Sequence, residues 1–113
     1  MSKDRKVTVY IASPYTDGDV AVNVRRSIIA ADALVELGCA PFVPLLTHFW
    51  HFLSPKEYEV WTEMDMEWVR RCDCVLRLIG NSKGADAEVT LAESLGIPVF
   101  YDIESLADYF DIS

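Results

Sequence analysis

The sequence has few cysteines and no long apolar run. Its 113 residues include three cysteines, Cys39, Cys72 and Cys74, whose odd number and spacing do not match a disulfide framework. We therefore predict a reduced, cytoplasmic chain in which the thiols pack in the interior. Because no apolar stretch reaches membrane-spanning length and no signal-peptide pattern is present, we expect no membrane partner.

Basic residues are also scarce. Ten Lys and Arg residues stand against 18 Asp and Glu residues, which gives a formal net charge of −8. A surface of this sign repels nucleic acid and anionic membranes, so neither is an expected partner. A small anionic ligand then needs a local positive or backbone-amide site.

Histidine is limited to His48 and His51. They are three residues apart, and no cysteine or further histidine accompanies them, whereas zinc sites combine three or four such ligands. We expect neither a metal nor a cofactor.

What the chain does contain is enough apolar sequence for a folded core. Hydrophobic residues make up 51% of it, and at this length we expect one domain, residues 1–113, without disulfides or metal. Strand and helix patterns alternate along the domain. Strands are predicted over residues 6–12, 40–46, 74–80 and 97–101, and helices over 20–37, 55–71, 85–95 and 103–110.

This alternation predicts an α/β fold, a Rossmann- or flavodoxin-like three-layer sandwich around a parallel sheet of four to five strands. Right-handed crossovers favour the strand order 2-1-3-4. Ligands of such sheets bind beyond the carboxyl ends of the strands, near the point where the strand order reverses. The loops expected at that point are Ala12–Asp19, Leu45–Pro55 and Gly80–Gly84.

Helix ends and buried faces also follow from the pattern. Asp17 or Asp19 can cap the first helix, and Ser54 can cap the second, with Pro55 at its first position. The aromatic segment before that helix, residues 47–55, is predicted to be a loop. The buried face of the first helix is predicted to be the apolar stripe Val24, Ile28, Ala31 and Val35.

Asp65 lies within an apolar helical stripe. Trp61, Asp65, Trp68 and Cys72 are spaced i, i+4, i+7 and i+11 and share one helix face. An aspartate there is costly unless it is hydrogen-bonded or paired. It either caps a neighbouring loop or pairs with an arginine, or it faces a pocket with a raised pKa and holds or moves a proton.

The turn before the third helix offers a second candidate site. Ser82, Lys83 and Gly84 lie where free N–H groups, a hydroxyl and a lysine can bind phosphate. Asp86 and Glu88 follow near the start of the helix, where acids also suit the helix dipole. Glu88 is therefore either an ordinary helix-dipole acid or a group with a chemical role.

Aromatic and hydroxyl residues occupy the other two loops. Tyr10 ends the first strand, and Ser13 and Tyr15 lie in the loop that follows, where ordinary loop structure is a sufficient explanation for them. His48 and Trp50 belong to the aromatic segment. That segment either stacks on a planar base or forms a hydrophobic lid.

Asp65 and Glu88 come from different helices that the fold directs to one edge of the sheet. Two carboxylates near one cleft are the minimum set for glycosidic bond cleavage, because one attacks the anomeric carbon and the other handles a proton. We therefore consider the pair as candidate catalytic residues.

Three blocks of the sequence resemble the nucleoside 2-deoxyribosyltransferase family, including its branch of nucleoside 5′-monophosphate N-glycosidases. The blocks are VYIASPYT at the first strand, EMDMEWVRRCDCVL leading into the third strand, and SKGADAEVTLAESLGIPV. They stand in the family's order and span nearly the whole chain, and the third is the most specific. The chain is shorter than typical members, and its first loop lacks the glycine-rich form of some of them.

The resemblance implies a Rossmann-like fold and a covalent mechanism. Glu88 matches the nucleophile that forms a ribosyl or deoxyribosyl intermediate, and Asp65 matches the aspartate near the sugar and the departing base. Tyr10 matches a residue that holds the nucleophile or the sugar. Ser82 and the Ser13 loop match phosphate contacts of the monophosphate branch, which the SKG turn also resembles.

The resemblance further implies a small-molecule partner, a nucleoside or nucleotide, and a homodimer or larger homo-oligomer in which a neighbouring subunit completes the site. Release of the sugar by water makes a hydrolase, and release by a second base makes a transferase. Both alternatives stay open at this point. So does a non-catalytic nucleotide-binding or signalling module on the same fold.

Overall fold

The computed structural model describes residues 5–112. Within that range, strands and helices alternate, except that two helices follow the second strand, and a 3-10 turn at Pro44–Leu46 precedes the first of those two. None of the helices in this range is long and apolar enough to cross a membrane. The strands are β1 Thr8–Ala12, β2 Ala40–Phe42, β3 Cys74–Arg77 and β4 Val99–Phe100. The helices are α1 Val20–Glu36, α2 Thr47–Leu53, α3 Tyr58–Arg71, α4 Lys83–Ser94 and α5 Ile103–Phe110.

The strands form one parallel sheet in the order β2-β1-β3-β4. Tyr10 of β1 lies opposite Phe42 of β2 on one side and opposite Val75 of β3 on the other. This arrangement confirms the predicted α/β fold and the predicted 2-1-3-4 order. The strand order reverses between β1 and β3, so a crevice is expected at their carboxyl ends.

The alternating side chains of β1 divide the core into two clusters, one on each face of the sheet. One cluster lies beneath α1 and α5, and the other lies beneath α3 and α4. Members of the first cluster include Val9, Ile11, Leu34 and Leu106. Members of the second include Tyr10, Ala12, Val69 and Val89. The molecule is therefore a three-layer sandwich, as predicted.

The buried face of α1 differs from the predicted apolar stripe. Ile28 and Val35 are 40% and 57% exposed. Two polar side chains of the buried face satisfy their hydrogen bonds locally, which removes the cost of burying them; for example, Ser27 donates to the Asn23 carbonyl at 3.0 Å. The buried residues of α1 are Asn23, Ser27, Ala30, Ala31 and Leu34.

Residues 47–53, predicted as a loop, form α2, and α3 begins later than predicted. Neither glycine nor proline interrupts this segment, and the preceding turn begins at Pro44, whose carbonyl accepts a hydrogen bond from the Thr47 hydroxyl at 2.7 Å. Ser54 ends α2 instead of capping α3. As a result, α3 begins at Tyr58 and has no side-chain cap.

Two further element boundaries near the crevice are the start of α1 and the end of β3. Asp19, one of the two predicted caps, is the N-cap of α1 and accepts a hydrogen bond from Val22 N at 3.1 Å. β3 ends at Arg77 instead of Gly80. The guanidinium of Arg77 binds the carbonyl oxygens of Leu78 and Gly80 and so holds the chain in a turn.

Candidate active site

A cleft of about 730 Å³ opens at the carboxyl edge of the sheet. Its walls come from the loops after β1, β2 and β3 and from α2, α3 and α4. Most of the residues singled out from the sequence lie on these walls. They are Ser13, Tyr15, His48, Asp65, Ser82, Lys83, Gly84 and Glu88.

Glu88 lies in the second turn of α4 and is only 8% exposed. The hydroxyl of Tyr10 donates a hydrogen bond to Glu88 Oε2 at 2.5 Å. Burial raises the pKa of Glu88 to about 7. The hydrogen bond from Tyr10 opposes this rise, the charge of Asp65 adds to it, and the charge of Arg77 opposes it. The carboxyl therefore changes charge near neutral pH.

Tyr10 is a neutral donor behind the cleft. It is fully buried in β1, and its ring stacks on Phe42 with 5.7 Å between the centroids. Burial, and after it the charge of Glu88, raises the pKa of Tyr10 well above its ordinary range. The hydroxyl thus keeps its proton and holds one oxygen of Glu88 in place.

Asp65 faces the same cleft from α3. Its Oδ1 is buried and has no hydrogen-bond partner within residues 5–112. Burial raises the pKa of Asp65 to about 7. Of its apolar neighbours, Trp61 lines the cleft, and Trp68 stacks on Phe42 with 4.9 Å between the centroids. In the described chain neither an arginine nor a loop amide bonds to Asp65, so the contacts fit a pocket-facing carboxylate.

The turn between β3 and α4 carries backbone amides on the cleft wall. Ser82 is the N-cap of α4, and its hydroxyl accepts a hydrogen bond from Ala85 N at 3.0 Å. Lys83 and Gly84 are the first two residues of α4, and their N–H groups have no acceptor among the described residues. Free N–H groups at a helix N-terminus are suited to an anion.

The loop after β1 is braced by Asn23 and linked to α2. Asn23 Nδ2 donates to the carbonyls of Tyr15 at 3.0 Å and Asp17 at 2.9 Å. The Tyr15 hydroxyl forms a hydrogen bond with His48 Nδ1, which joins two residues of the cleft wall. Ser13 is buried in this loop and donates to the next carbonyl oxygen at 3.0 Å.

Trp50 lies outside the cleft wall. Its ring packs edge-on against Trp61, with 5.1 Å between the centroids, and Lys56 Nζ lies 5.7 Å from its centroid. Trp50 therefore supports a tryptophan that lines the cleft and does not itself offer a stacking surface there.

Several residues that line the cleft were not singled out from the sequence as binding residues. His51 Nδ1 accepts a hydrogen bond from Trp61 Nε1 at 2.8 Å. Because an indole only donates, the ring proton of neutral His51 is on Nε2. The sequence placed this segment at the correct edge as a loop, but its helical form is what brings His51 to Trp61. The additional lining residues include His51, Lys56, Tyr58, Trp61 and Thr62.

Arg77 carries no role in the predictions from the sequence. It is the last residue of β3, and its Nη2 forms an ion pair with Asp86 of α4 at 2.9 Å. A basic residue inside the apolar stretch CVLRLIG is a signal that could have identified it.

The cysteines are free and lie in or beside the core. Burial is the main cause that raises the pKa of Cys72 to about 11 and that of Cys74 to about 12, so these thiols stay protonated at neutral pH. Residues 5–112 contain no group of three or more His, Cys, Asp or Glu side chains placed to hold a metal ion.

One solved structure with a similar fold is a 2-deoxyribosyltransferase from the psychrotolerant bacterium Bacillus psychrosaccharolyticus. The TM-score is 0.62 at 22% sequence identity, and the match covers 82% of this chain and 69% of the other. At this identity the likeness shows the fold, and at that level it agrees with the family resemblance in the sequence. No curated protein matches the sequence.

A protein-family model matches residues 7–102 and is described as a domain of unknown function, DUF7768. The matched range contains all four strands and every residue of the cleft wall. The chain therefore belongs to the DUF7768 family.

Proposed function

We propose that the protein cleaves the N-glycosidic bond of a nucleoside or (deoxy)nucleoside 5′-monophosphate through a covalent glycosyl-enzyme intermediate. One observation carries the proposal: Glu88, bonded to Tyr10 at 2.5 Å, shares a cleft with Asp65, whose buried oxygen has no partner in the described chain. A cleft of about 730 Å³ is large enough for a nucleotide-sized ligand. The fold shared with a 2-deoxyribosyltransferase adds support.

The two carboxyl groups differ in their partners. Burial raises the pKa of each to about 7, and a charge on one disfavours a charge on the other. Glu88 has the hydrogen bond from Tyr10 and the nearby charge of Arg77, whereas Asp65 has neither. The charge therefore favours Glu88 and the proton favours Asp65, which suits a nucleophile and a general acid.

The proposed reaction begins when a carboxylate oxygen of Glu88 attacks C1′. The bond from C1′ to the base breaks, its electron pair leaves with the base, and Asp65 donates its proton to that base. The negative charge of Glu88 stabilises the oxocarbenium-like transition state. Water, deprotonated by Asp65, then attacks C1′, releases the sugar and restores Glu88. A second base in place of water gives transfer.

The start of α4 favours a substrate with a 5′-phosphate. The N–H groups of Lys83 and Gly84 and the hydroxyl of Ser82 line the cleft next to the positive end of the helix dipole. Lys56 also lines the cleft, and within residues 5–112 neither it nor Lys83 has an ion-pair partner. The amides and Lys83 form a local positive region at the start of α4 in an acidic protein. We therefore expect monophosphates to react better than nucleosides.

The proposal is tested by incubating the protein with purine and pyrimidine nucleosides and their 5′-monophosphates. Free base is measured by chromatography. We expect base release from at least one monophosphate, and a loss of roughly 10³-fold or more in Glu88→Ala and Glu88→Gln, because both remove the nucleophile. Glu93→Gln is the matched control, since Glu93 is an exposed carboxylate on the same helix.

Two results would contradict the proposal. Equal base release by wild type and Glu88→Ala would show that Glu88 is not the nucleophile. Binding of a monophosphate without release of any base would instead indicate a non-catalytic nucleotide-binding module. A second free base added to the reaction separates the two active alternatives, because a transferase forms a new nucleotide and a hydrolase forms free sugar phosphate.

A further inference from the structure

A guanidinium is buried at the carboxyl end of β3. Arg77 is 8% exposed, and together with Glu88 it makes up the buried charged residues of the described chain. Taking a charge out of water is unfavourable unless hydrogen bonds and opposite charge compensate for it. The contacts of Arg77 must therefore offset the unfavourable free energy of burying its guanidinium.

Arg77 clamps the turn that leads into α4. Its Nη2 donates to Gly80 O at 2.8 Å and to Asp86 Oδ1 at 2.9 Å, and its Nη1 donates to Leu78 O. The clamp thus joins the end of β3, the turn and the first part of α4. The same turn continues into Ser82 and the free amides of α4 that line the cleft.

The clamped turn also packs against the loop after β1. Gly80 has a φ of +127°, and a Cβ added there would lie 2.8 Å from Pro14 Cγ. A side chain at this position would therefore push the two loops apart. Pro14 directly follows Ser13 on the cleft wall. A change in the turn held by Arg77 would therefore move both the start of α4 and the loop after β1, which flank the candidate phosphate site.

The charge of Arg77 is incompletely neutralised by its partner. The side chain of Asp86 is 72% exposed, so water screens its charge, whereas the guanidinium is in the interior. Glu88 is two residues further along α4 and is buried as well. The groups of the packed elements that act on its ionisation are Tyr10 of β1, Asp65 of α3 and Arg77 of β3, and Arg77 is the cation among them.

We propose that Arg77 is a positioning residue with two effects, holding the 78–84 turn in its ligand-binding shape and stabilising the ionised form of Glu88. The second effect rests on the proposed function, in which Glu88 is the nucleophile. Arg77 binds Asp86, two residues before Glu88 on α4, and a buried cation near a carboxylate keeps it charged at a pH where burial alone would protonate it.

The charge effect is tested without substrate by a carbon-13 NMR titration of the Glu88 side-chain carboxyl. In Arg77→Met we expect the pKa of Glu88 to rise by about one unit, because the cation is lost. Arg77→Lys keeps the charge, so its Glu88 pKa stays near the wild-type value. Arg26→Met is the matched control, since Arg26 donates to Ile79 O of the same turn at 3.0 Å through a solvent-exposed hydrogen bond.

The positioning effect is tested by base release from a 5′-monophosphate. In Arg77→Met the acidic limb of the pH–rate profile shifts to higher pH together with the Glu88 titration. In Arg77→Lys that limb stays in place while KM for the monophosphate rises several-fold, because an ammonium cannot reproduce the planar fork of hydrogen bonds. Wild-type KM in Arg77→Lys would overturn the positioning effect.

An unchanged Glu88 pKa in folded Arg77→Met, or an equal shift in Arg26→Met, would overturn the charge effect. If Arg77→Met does not fold, Asp86→Asn takes its place: it removes the partner anion and keeps the cation, so the Glu88 pKa should stay or fall, and a rise would overturn the proposal. Failure of the proposed function looks different. No substrate would release base, while the Glu88 titration would still respond to Arg77.

Discussion

Asp65 is partly buried and, within the described chain, lacks the protein contacts that normally stabilise a buried carboxyl group. One of its oxygens is buried without a hydrogen-bond partner in residues 5–112, and an unsatisfied buried polar atom typically costs about 1–3 kcal/mol. A neutral carboxyl that faces a cleft reduces this cost, because it can also donate to a ligand. The burial of Asp65 thus makes sense if a ligand supplies the missing contact.

For Asp65→Asn we expect kcat for base release to fall by roughly 10²–10⁴-fold, because the amide cannot protonate the departing base. The fold should persist, since no protein hydrogen bond is lost. Chromatographic assays and thermal unfolding measure the two effects. The control is Glu63→Gln, an exposed acid on the same helix. Loss of cooperative unfolding in Asp65→Asn would instead assign Asp65 a structural role.

The residue types at this site could be predicted from the sequence, but the contacts between those residues could not. Tyr10 and Glu88 could be assigned to a strand and a helix, but their hydrogen bond depends on how α4 packs over β1, which no local pattern specifies. Asn23 gave no signal, because its role is to bind two carbonyls of the preceding loop, and the conformation of that loop follows from no local pattern. Trp50 matched the composition of a stacking site, yet its helix turns it onto Trp61.

Among the elements, α4 combines two roles at its N-terminus: the residues there stabilise the helix and also line the candidate ligand site. Ser82 caps the helix, and the same residue and the next two line the cleft. The helix was predictable because a serine cap, an early acid and a final glycine are local signals. α2 was not predictable in this way, because its aromatic residues have weak helix propensity and its start depends on the Pro44 turn.

For Ser82→Ala we expect a loss of about 1 kcal/mol in the free energy of unfolding, because the α4 cap is removed. We also expect KM to rise several-fold for a 5′-monophosphate and to change little for the nucleoside. Denaturant unfolding and steady-state kinetics measure both effects. Asp102→Ala is the matched control, since Asp102 caps α5 by accepting from Ser105 N at 2.7 Å. An equal KM change for nucleoside and monophosphate would argue against a phosphate contact.

At the scale of the whole molecule, net charge and buried acids act on stability in the same direction. The formal net charge is −8, so self-repulsion grows as carboxyl groups ionise. Asp65 and Glu88 add to this effect because the fold favours their protonated forms. Asp73 acts oppositely: burial opposes ionisation, but hydrogen bonds from Thr8 and Arg5 prevail and lower its pKa. It contributes stability that is lost only as the pH falls.

Stability should therefore decrease as the pH rises towards 7. Between the ordinary pKa of Glu88, 4.5, and its raised value of about 7, the folded state binds more protons than the unfolded state, so the free energy of unfolding falls with increasing pH. For Glu88 alone this amounts to roughly 3 kcal/mol. We expect a higher Tm at pH 5 than at pH 8 in calorimetry.

Glu88→Gln should lose much of this dependence, because an amide does not ionise, and its Tm should exceed that of wild type at pH 8 but not at pH 5. Glu93→Gln, at an exposed position of the same helix, should keep the wild-type slope. A wild-type slope in Glu88→Gln would mean that Glu88 ionises as easily in the folded chain as in the unfolded one. Its burial beside Tyr10 and Asp65 would then have no effect on its charge, and the division of nucleophile and acid between the two carboxylates would lose its physical basis.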